Sequence, residues 1–316
     1  MSDNKNIAVV FPGQGSQKPG MGKDFCEQIS VCRQTYEEAA DALGWDVSSM
    51  CFGEDERLNL TEYTQPCIVT TEIAMLRGLS KNYGFAADYF GGHSLGEFTA
   101  LVAAGAIPLA DTLKIVQMRG RLMQEAVPVG VGGMAAVIPE NIDIDMLKKL
   151  MDGLNAGVAN INSTNQVVIS GELTAIDETE KRLEKNFPAG KSFRFIRLNV
   201  SAPFHSYLMK SIENRFADTL EKIGKDLNPQ NATKVTSNFT GGFHSDNVQE
   251  IRTKLVNQLS NTVHWQKNMQ SLAGKAGAIY EIGPARPLRD FFKTIDVTCQ
   301  SITTLSTAEK ILKGVN

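Results

Sequence analysis

The sequence predicts an α/β fold in which a large domain with a parallel sheet carries a small inserted subdomain. Ile7–Phe11 is a continuous apolar run, typical of a strand buried on both faces, and a glycine-rich loop follows it. A second short strand over residues 86–91 leads into Gly-His-Ser-Leu-Gly around Ser94 and then into a helix of small residues. Residues 134–198 show the order β-α-β-β-α-β. The expected class is an α/β-hydrolase-like large domain with a parallel sheet plus an inserted ferredoxin-like small subdomain.

The remaining elements of the large domain follow from apolar periodicity. We expect helices around residues 21–43, 64–82, 96–105, 111–126, 207–223 and 247–259, and a further strand over residues 278–282. Alternation of strand and helix is typical of a parallel sheet covered by helices.

The subdomain follows the glycine-rich stretch 127–133, which is the best linker candidate in the chain. Its strands are predicted over residues 134–138, 157–161, 166–170 and 193–198, and its helices over 143–151 and 173–185. We therefore predict a large catalytic domain formed by residues 1–128 and 198–316, with the subdomain at 129–197. The cleft between them is the expected site.

Composition excludes several function classes. The 316 residues are 42% hydrophobic and 21% charged, and the net charge of −3 gives no reason to expect a nucleic acid or an anionic membrane as partner. No apolar run has the length of a signal peptide core or a transmembrane helix. Five cysteines without a Cys-x-x-Cys pair indicate reduced thiols, so we expect a cytoplasmic protein without a metal site. Nothing in the pattern demands an interface, and a monomer is expected.

Ser94 is the candidate nucleophile, because a strand–turn–helix elbow exposes a hydroxyl beside free backbone N–H groups. The alternative is an N-capping serine in a glycine-rich turn. A nucleophilic serine needs a base, and the chain has four histidines. His205 is favoured over His264 because it follows a predicted strand, whereas His93 diverges from its neighbour at the turn and His244 is expected to be exposed in a polar loop.

Two further positions stay open on local pattern alone. No aspartate stands out as a third triad member, so a backbone carbonyl or a side-chain amide could orient the imidazole. Arg119 lies on the helix after the elbow, where the local pattern favours a basic residue on the surface. The other interpretation is a fork-shaped donor for a substrate carboxylate.

Seven motifs in order carry a family resemblance over roughly residues 7–306. They lie at residues 11–17, 92–97, 118–120, 123–128, 160–163, 202–206 and 258–261. With them the chain resembles the malonyl-CoA:acyl carrier protein transacylases, the acyltransferases that load malonyl units for fatty acid and polyketide synthesis.

The resemblance implies roles at the matching positions. Ser94 would carry the acyl ester and His205 would be the base, oriented by the backbone carbonyl of Gln258. The N–H groups of Gln14 and Leu95 would form the oxyanion hole. The reaction would be ping-pong, with malonyl-CoA and an acyl carrier protein as substrates and no separate cofactor.

The resemblance also implies the acyl specificity. Arg119 would pair bidentately with the malonyl carboxylate, and Asn162 would line the cleft. Leu95 and Phe204 resemble the malonyl type more than the methylmalonyl type. Phe204 is also more typical of synthase-embedded domains than of free-standing members, which leaves the choice between fatty acid and polyketide synthesis open.

Two alternatives remain at this point. An editing hydrolase would use Ser94 and His205 with water as acceptor, and would have no use for Arg119. A catalytically silent carrier-binding protein is disfavoured by the intact motifs. A cluster of basic residues in the subdomain is either a docking face for an acidic carrier protein or an ordinary solvated face. The cluster consists of Lys181, Arg182, Lys185, Lys191 and Arg194.

Overall fold

The computed structural model describes residues 6–128, 130–140, 143–187 and 192–312. Within these residues the chain forms a parallel sheet in the order β2-β1-β7-β8 and an antiparallel sheet in the order β4-β5-β3-β6. The mixed α/β class is thereby confirmed. The strands are β1 (Ile7–Phe11), β2 (Tyr89–Gly92), β3 (Gly132–Pro139), β4 (Ala156–Ser163), β5 (Gln166–Glu172), β6 (Phe193–Arg197), β7 (Ala278–Ile282) and β8 (Cys299–Ile302).

The carboxyl ends of the strands all lie at the same edge of the parallel sheet. β1 lies between β2 and β7, and β8 pairs with β7, all in parallel. Val235 adds a parallel bridge on the outer side of β2. The side chains of Val9 and Phe11 pack into one core cluster and those of Ala8 and Val10 into another, so β1 is buried on both faces, as its apolar run predicts. The loops that leave β1, β2 and Val235 therefore meet at this edge.

Helices cover the sheet. They are α1 (Lys23–Gln28), α2 (Ser30–Leu43), α3 (Val47–Phe52), α4 (Thr61–Tyr83), α5 (Gly96–Ala103), α6 (Leu109–Glu125), α7 (Ile144–Leu150), α8 (Leu173–Asn186), α9 (Glu213–Ile223), α10 (Pro229–Ala232), α11 (Val248–Asn257), α12 (Trp265–Ala273), α13 (Arg289–Phe292) and α14 (Leu305–Leu312). No helix among the residues described has the length and apolar character needed to cross a membrane.

Some helices differ from prediction. The single helix expected over 21–43 is divided into α1 and α2, because Ile29 between them is extended, at φ −124° and ψ 115°. The segment expected over 207–223 starts as a 3-10 helix, Tyr207–Ile212, before α9 begins. Sequence patterns did not predict α3, α10, α12, α13, α14 or β8.

The antiparallel sheet has the element order that the sequence predicts, from β3 through α7, β4, β5 and α8 to β6. Val137 and Ile169 on one face pack with Ile176 of α8, whereas Met134 and Val168 on the other face join the core of the parallel-sheet region. The backbone of β4 also hydrogen-bonds to Val263, which ties the two sheets together. The domain boundaries at 128/129 and 197/198 remain a prediction.

Candidate active site

Ser94 lies in the tight turn between β2 and α5, as the elbow pattern predicts. Its φ of 50° is left-handed, an arrangement that costs a non-glycine residue energy and that clusters at functional sites. A Cβ on Gly92 would overlap the backbone of Gly96, and one on Gly96 would overlap the carbonyl of Phe11. The two glycines therefore let α5 start directly against the strands, while the serine itself adopts the strained conformation.

The loop after β1 lies against this turn. A Cβ on Gly13 would overlap the carbonyl oxygen of His93, so glycine is required for the close approach. The backbone N–H groups of Gln14 and Leu95 have no hydrogen-bond acceptor among the residues that the structure describes. Two free N–H donors beside a serine hydroxyl could stabilise an oxyanion.

His205 contacts the Ser94 hydroxyl. Its Nε2 lies 2.7 Å from Ser94 Oγ, and its Nδ1 lies 2.7 Å from the backbone oxygen of Gln258. Because a carbonyl only accepts, Nδ1 carries the ring proton and Nε2 accepts from the serine O–H. Burial, followed by the nearby charge of Arg119, lowers the pKa of His205 to about 3. The imidazole is therefore neutral and ready to take a proton at neutral pH.

Arg119 on α6 is 1% exposed, so the surface position that the local pattern favours is wrong. Its guanidinium donates to Ser94 Oγ at 3.0 Å, to Gln258 Oε1 at 2.8 Å and to Gln65 Oε1 at 3.0 Å, and it lies over the Phe98 ring. Among the described residues no carboxylate forms an ion pair with it, and its Nε has no acceptor. Burial lowers the pKa of Arg119 to about 10, so the group stays charged at neutral pH.

Residues that sequence reasoning missed hold these groups in place. Gln65 of α4 bridges Arg119 and the side chain of Gln14. Asn238, just past the Val235 bridge, accepts from the Ser94 backbone N–H at 2.6 Å. These contacts connect positions 51 to 144 residues apart, so no local motif indicates them.

The remaining histidines have other roles. His93 is hydrogen-bonded through Nε2 to Asn162 Oδ1 at 2.8 Å, which links the elbow to β4. His244 was expected to be exposed, and this is wrong: its side chain is fully buried, with Nε2 2.8 Å from Glu97 Oε1. The loop around it folds inward because the backbone of His244 pairs with that of Val235. His264 precedes α12 and has no hydrogen bond to Ser94.

The other sequence-predicted residues can also be located. Phe204 is 8% exposed beside His205 and belongs to the main core cluster. All five cysteines are buried free thiols. The structure describes no group of three or more His, Cys, Asp or Glu side chains able to hold a metal.

The basic cluster lies mainly on α8, which packs on the face of the antiparallel sheet opposite the parallel-sheet region. Arg182 donates to the carbonyls of Leu150 and Asp152 at the end of α7. It therefore stabilises the packing of α8 against the end of α7. Lys191 lies outside the described residues.

Comparisons with known sequences identify the family of the chain. A family model described as the acyl transferase domain matches residues 8–290. A malonyl CoA-acyl carrier protein transacylase of Bacillus subtilis is 35% identical, with 98% of each chain covered, and one of Escherichia coli K12 is 38% identical, with 92% of each covered.

Solved structures give the same relationship. The crystal structure of a malonyl CoA-acyl carrier protein transacylase from Clostridium perfringens has a TM-score of 0.88 at 34% identity and covers 98% of this chain and 97% of that one. A malonyl-transacylase solved in complex with a type II PKS acyl-carrier protein has a TM-score of 0.87 at 33% identity, covering 98% of this chain and all of the other.

Proposed function

The chain belongs to the acyl transferase domain family, and we propose that it moves a malonyl group from coenzyme A to the phosphopantetheine thiol of an acyl carrier protein. The observation that carries this proposal is the buried Arg119 guanidinium, which touches the Ser94 hydroxyl and has no carboxylate partner among the described residues. A buried unpaired cation beside a nucleophile favours a substrate that brings its own carboxylate.

In the first half-reaction Ser94 Oγ attacks the malonyl thioester carbonyl while His205 Nε2 takes the hydroxyl proton. The 2.7 Å contact between these atoms supports this transfer, and the Gln258 carbonyl keeps the other ring proton on Nδ1. The N–H groups of Gln14 and Leu95 stabilise the tetrahedral oxyanion. The C–S bond breaks, and His205 returns the proton to the departing coenzyme A sulfur.

The second half-reaction transfers the malonyl group from Ser94 to the carrier by the same kinds of step. The pantetheine thiol gives its proton to His205 and attacks the malonyl ester carbonyl. The ester C–O bond then breaks, and Ser94 recovers its proton from His205. Malonyl-CoA is a substrate and coenzyme A a product, and the proposed reaction uses no separate metal or cofactor.

Selectivity resides in groups around the acyl position. Arg119 binds the free carboxylate through two donors of its planar fork. Phe204 fills the space that an α-methyl branch would need, and Asn162 lines the cleft on the side of β4. We propose service in fatty acid or polyketide synthesis as a cytoplasmic monomer.

The finer architecture belongs to the same proposal. The order β4-β5-β3-β6, with neighbouring strands antiparallel, supports a ferredoxin-like subdomain at 129–197. The Ser94 elbow at the carboxyl edge of a parallel sheet supports an α/β-hydrolase-like large domain at 1–128 and 198–316.

An editing hydrolase is not favoured, because a monocarboxylic acyl group leaves Arg119 unpaired. The test is transfer to a purified holo-acyl carrier protein, followed by mass spectrometry of the carrier, with the apo-carrier that lacks the thiol as control. We expect malonyl-carrier only with the holo form, and parallel initial-rate lines when both substrates vary. Malonate released into water at a rate independent of the carrier would contradict transfer and indicate hydrolysis.

A further inference from the structure

A buried carboxylate, Glu97, lies behind the active site and is not used by the mechanism above. It belongs to the first turn of α5 and is 0% exposed. Its Oε1 accepts from His244 Nε2 at 2.8 Å, and its Oε2 accepts from the Asn238 backbone N–H at 3.0 Å and from Gln258 Nε2 at 2.6 Å. A fully buried carboxylate is stable only with such a set of donors.

Glu97 dictates the orientation of the Gln258 side chain. The Gln258 amide nitrogen donates to Glu97 and to the Ser94 carbonyl, while its amide oxygen accepts from Arg119 at 2.8 Å. A carboxylate and a carbonyl can only accept and a guanidinium can only donate, so all three partners would be mismatched if the amide were reversed. The Gln258 amide therefore has one allowed orientation, with its nitrogen toward Glu97 and its oxygen toward Arg119.

His244 holds the other oxygen of Glu97. Its Nε2 donates to Glu97 Oε1, and its Nδ1 is buried with no hydrogen-bond partner among the described residues. Together with the donors from Asn238 and Gln258, three N–H groups therefore face the two oxygens of Glu97, which act only as acceptors.

We propose that Glu97, held by His244, is a positioning residue that aligns Arg119 for the substrate carboxylate through the Gln258 amide. The inference rests on the proposed function, since it assigns Arg119 to the malonyl carboxylate. Gln258 Oε1 and Ser94 Oγ accept from the same guanidinium nitrogen, so the Gln258 amide fixes where that nitrogen lies. The charge of Glu97 also favours the protonated form of Arg119 and raises its pKa against the lowering by burial.

The arrangement has a selective consequence. An acetyl group has no carboxylate, so its transfer to Ser94 depends on Arg119 only through the hydrogen bond from Arg119 to the Ser94 hydroxyl. Loss of the Glu97 charge should therefore slow malonyl transfer much more than acetyl transfer. A residue that merely supports the fold would slow both equally.

The test uses Glu97→Gln in the full chain. A glutamine has one acceptor oxygen where the carboxylate serves three donors, so the Gln258 amide loses its fixed direction. We expect kcat/KM for malonyl ester formation from malonyl-CoA to fall 10- to 100-fold, and that from acetyl-CoA to change by less than threefold. Thr99→Val is the matched control. It removes a buried hydrogen bond from the same helix, to Glu72, and should leave the malonyl-to-acetyl ratio unchanged.

A double-mutant cycle decides whether Glu97 acts through Arg119. In an Arg119→Ala background, Glu97→Gln should have no further effect on malonyl ester formation. Additive losses, or equal losses for malonyl and acetyl, would overturn the inference and make Glu97 a fold-supporting residue. If Glu97→Gln does not fold, His244→Phe serves instead, because it removes the donor to Glu97. It should likewise slow malonyl ester formation much more than acetyl ester formation. A wild-type protein that forms no malonyl ester would overturn the proposed function, and this inference with it.

Discussion

Replacing Arg119 by alanine should convert a malonyl-selective enzyme into a poor but unselective one. The buried guanidinium has three neutral oxygen partners, Ser94, Gln258 and Gln65, and no carboxylate among the described residues. A substrate carboxylate would add two charge-assisted hydrogen bonds, worth roughly 1.5–3 kcal/mol each. Desolvation of the carboxylate offsets part of this gain.

The expected loss follows from these values. Two such bonds amount to roughly 3–6 kcal/mol, and each 1.4 kcal/mol is about tenfold in rate. With the desolvation offset, Arg119→Ala should lower kcat/KM for malonyl ester formation by about 10²- to 10³-fold. Arg119→Lys keeps the charge but loses the planar fork, so its loss should be smaller, about tenfold.

Rapid-quench measurement of the acyl-enzyme by intact mass, with malonyl-CoA and acetyl-CoA in parallel, provides the assay. Acetyl ester formation is the internal control, because Arg119 also touches the Ser94 hydroxyl and its removal could disturb the nucleophile itself. Equal loss for both acyl groups would refute carboxylate recognition and leave Arg119 as a support for Ser94.

Three further predictions concern other buried groups. Because the pKa of His205 is lowered to about 3, the neutral base persists as pH falls, and kcat/KM for acetyl ester formation should show no protonation step near pH 6.5; a step centred there would contradict a buried base. Burial raises the pKa of Glu281 from 4.5 to about 7, so its stabilising effect is complete below pH 4.5 and is lost as pH rises through 7. Urea titrations of Glu281→Gln and the wild type measure this effect. The unfolding free energy of the variant relative to the wild type should rise by roughly 2.5 kcal/mol between pH 5 and pH 8. A difference that stays constant with pH would show that the Glu281 carboxyl titrates normally. Phe204→Ala should raise the methylmalonyl-to-malonyl ratio of ester formation about tenfold, as expected for space that admits one methyl group, and an unchanged ratio would remove Phe204 from the acyl pocket.

Local sequence patterns predicted the parts of the fold that local physics determines. The buried strand β1 and the Ser94 elbow depend on a continuous apolar run and on glycines that allow close backbone approach, and both are readable within about ten residues. The order of elements from β3 to β6 follows from alternating periodicities in the same way. β8 has four residues with an exposed glutamine at its centre, and its pairing to β7 supplies what its own pattern lacks.

Site residues within a recognisable motif could be predicted from the sequence. Residues whose position depends on contacts with distant parts of the chain could not be predicted from local pattern. The local pattern placed Arg119 at the surface, because its burial depends on Gln65 and Gln258, which lie 54 and 139 residues away. His244 was predicted to be exposed for the same reason, because its partner Glu97 lies 147 residues away in the sequence. Polar networks of this kind have no periodicity, so the local pattern contains no signal for them. Only the family resemblance indicated Arg119 and Gln258 as site residues.

Acyl transfer through Ser94 is tested most directly by locating the acyl group on the protein. Brief mixing with malonyl-CoA or acetyl-CoA, followed by intact mass and peptide mapping, should give a malonyl adduct on the peptide that contains Ser94, little acetyl adduct, and none with Ser94→Ala. A malonyl adduct that persists in Ser94→Ala, or an acetyl adduct in equal yield, would contradict an ester on Ser94 selected by Arg119.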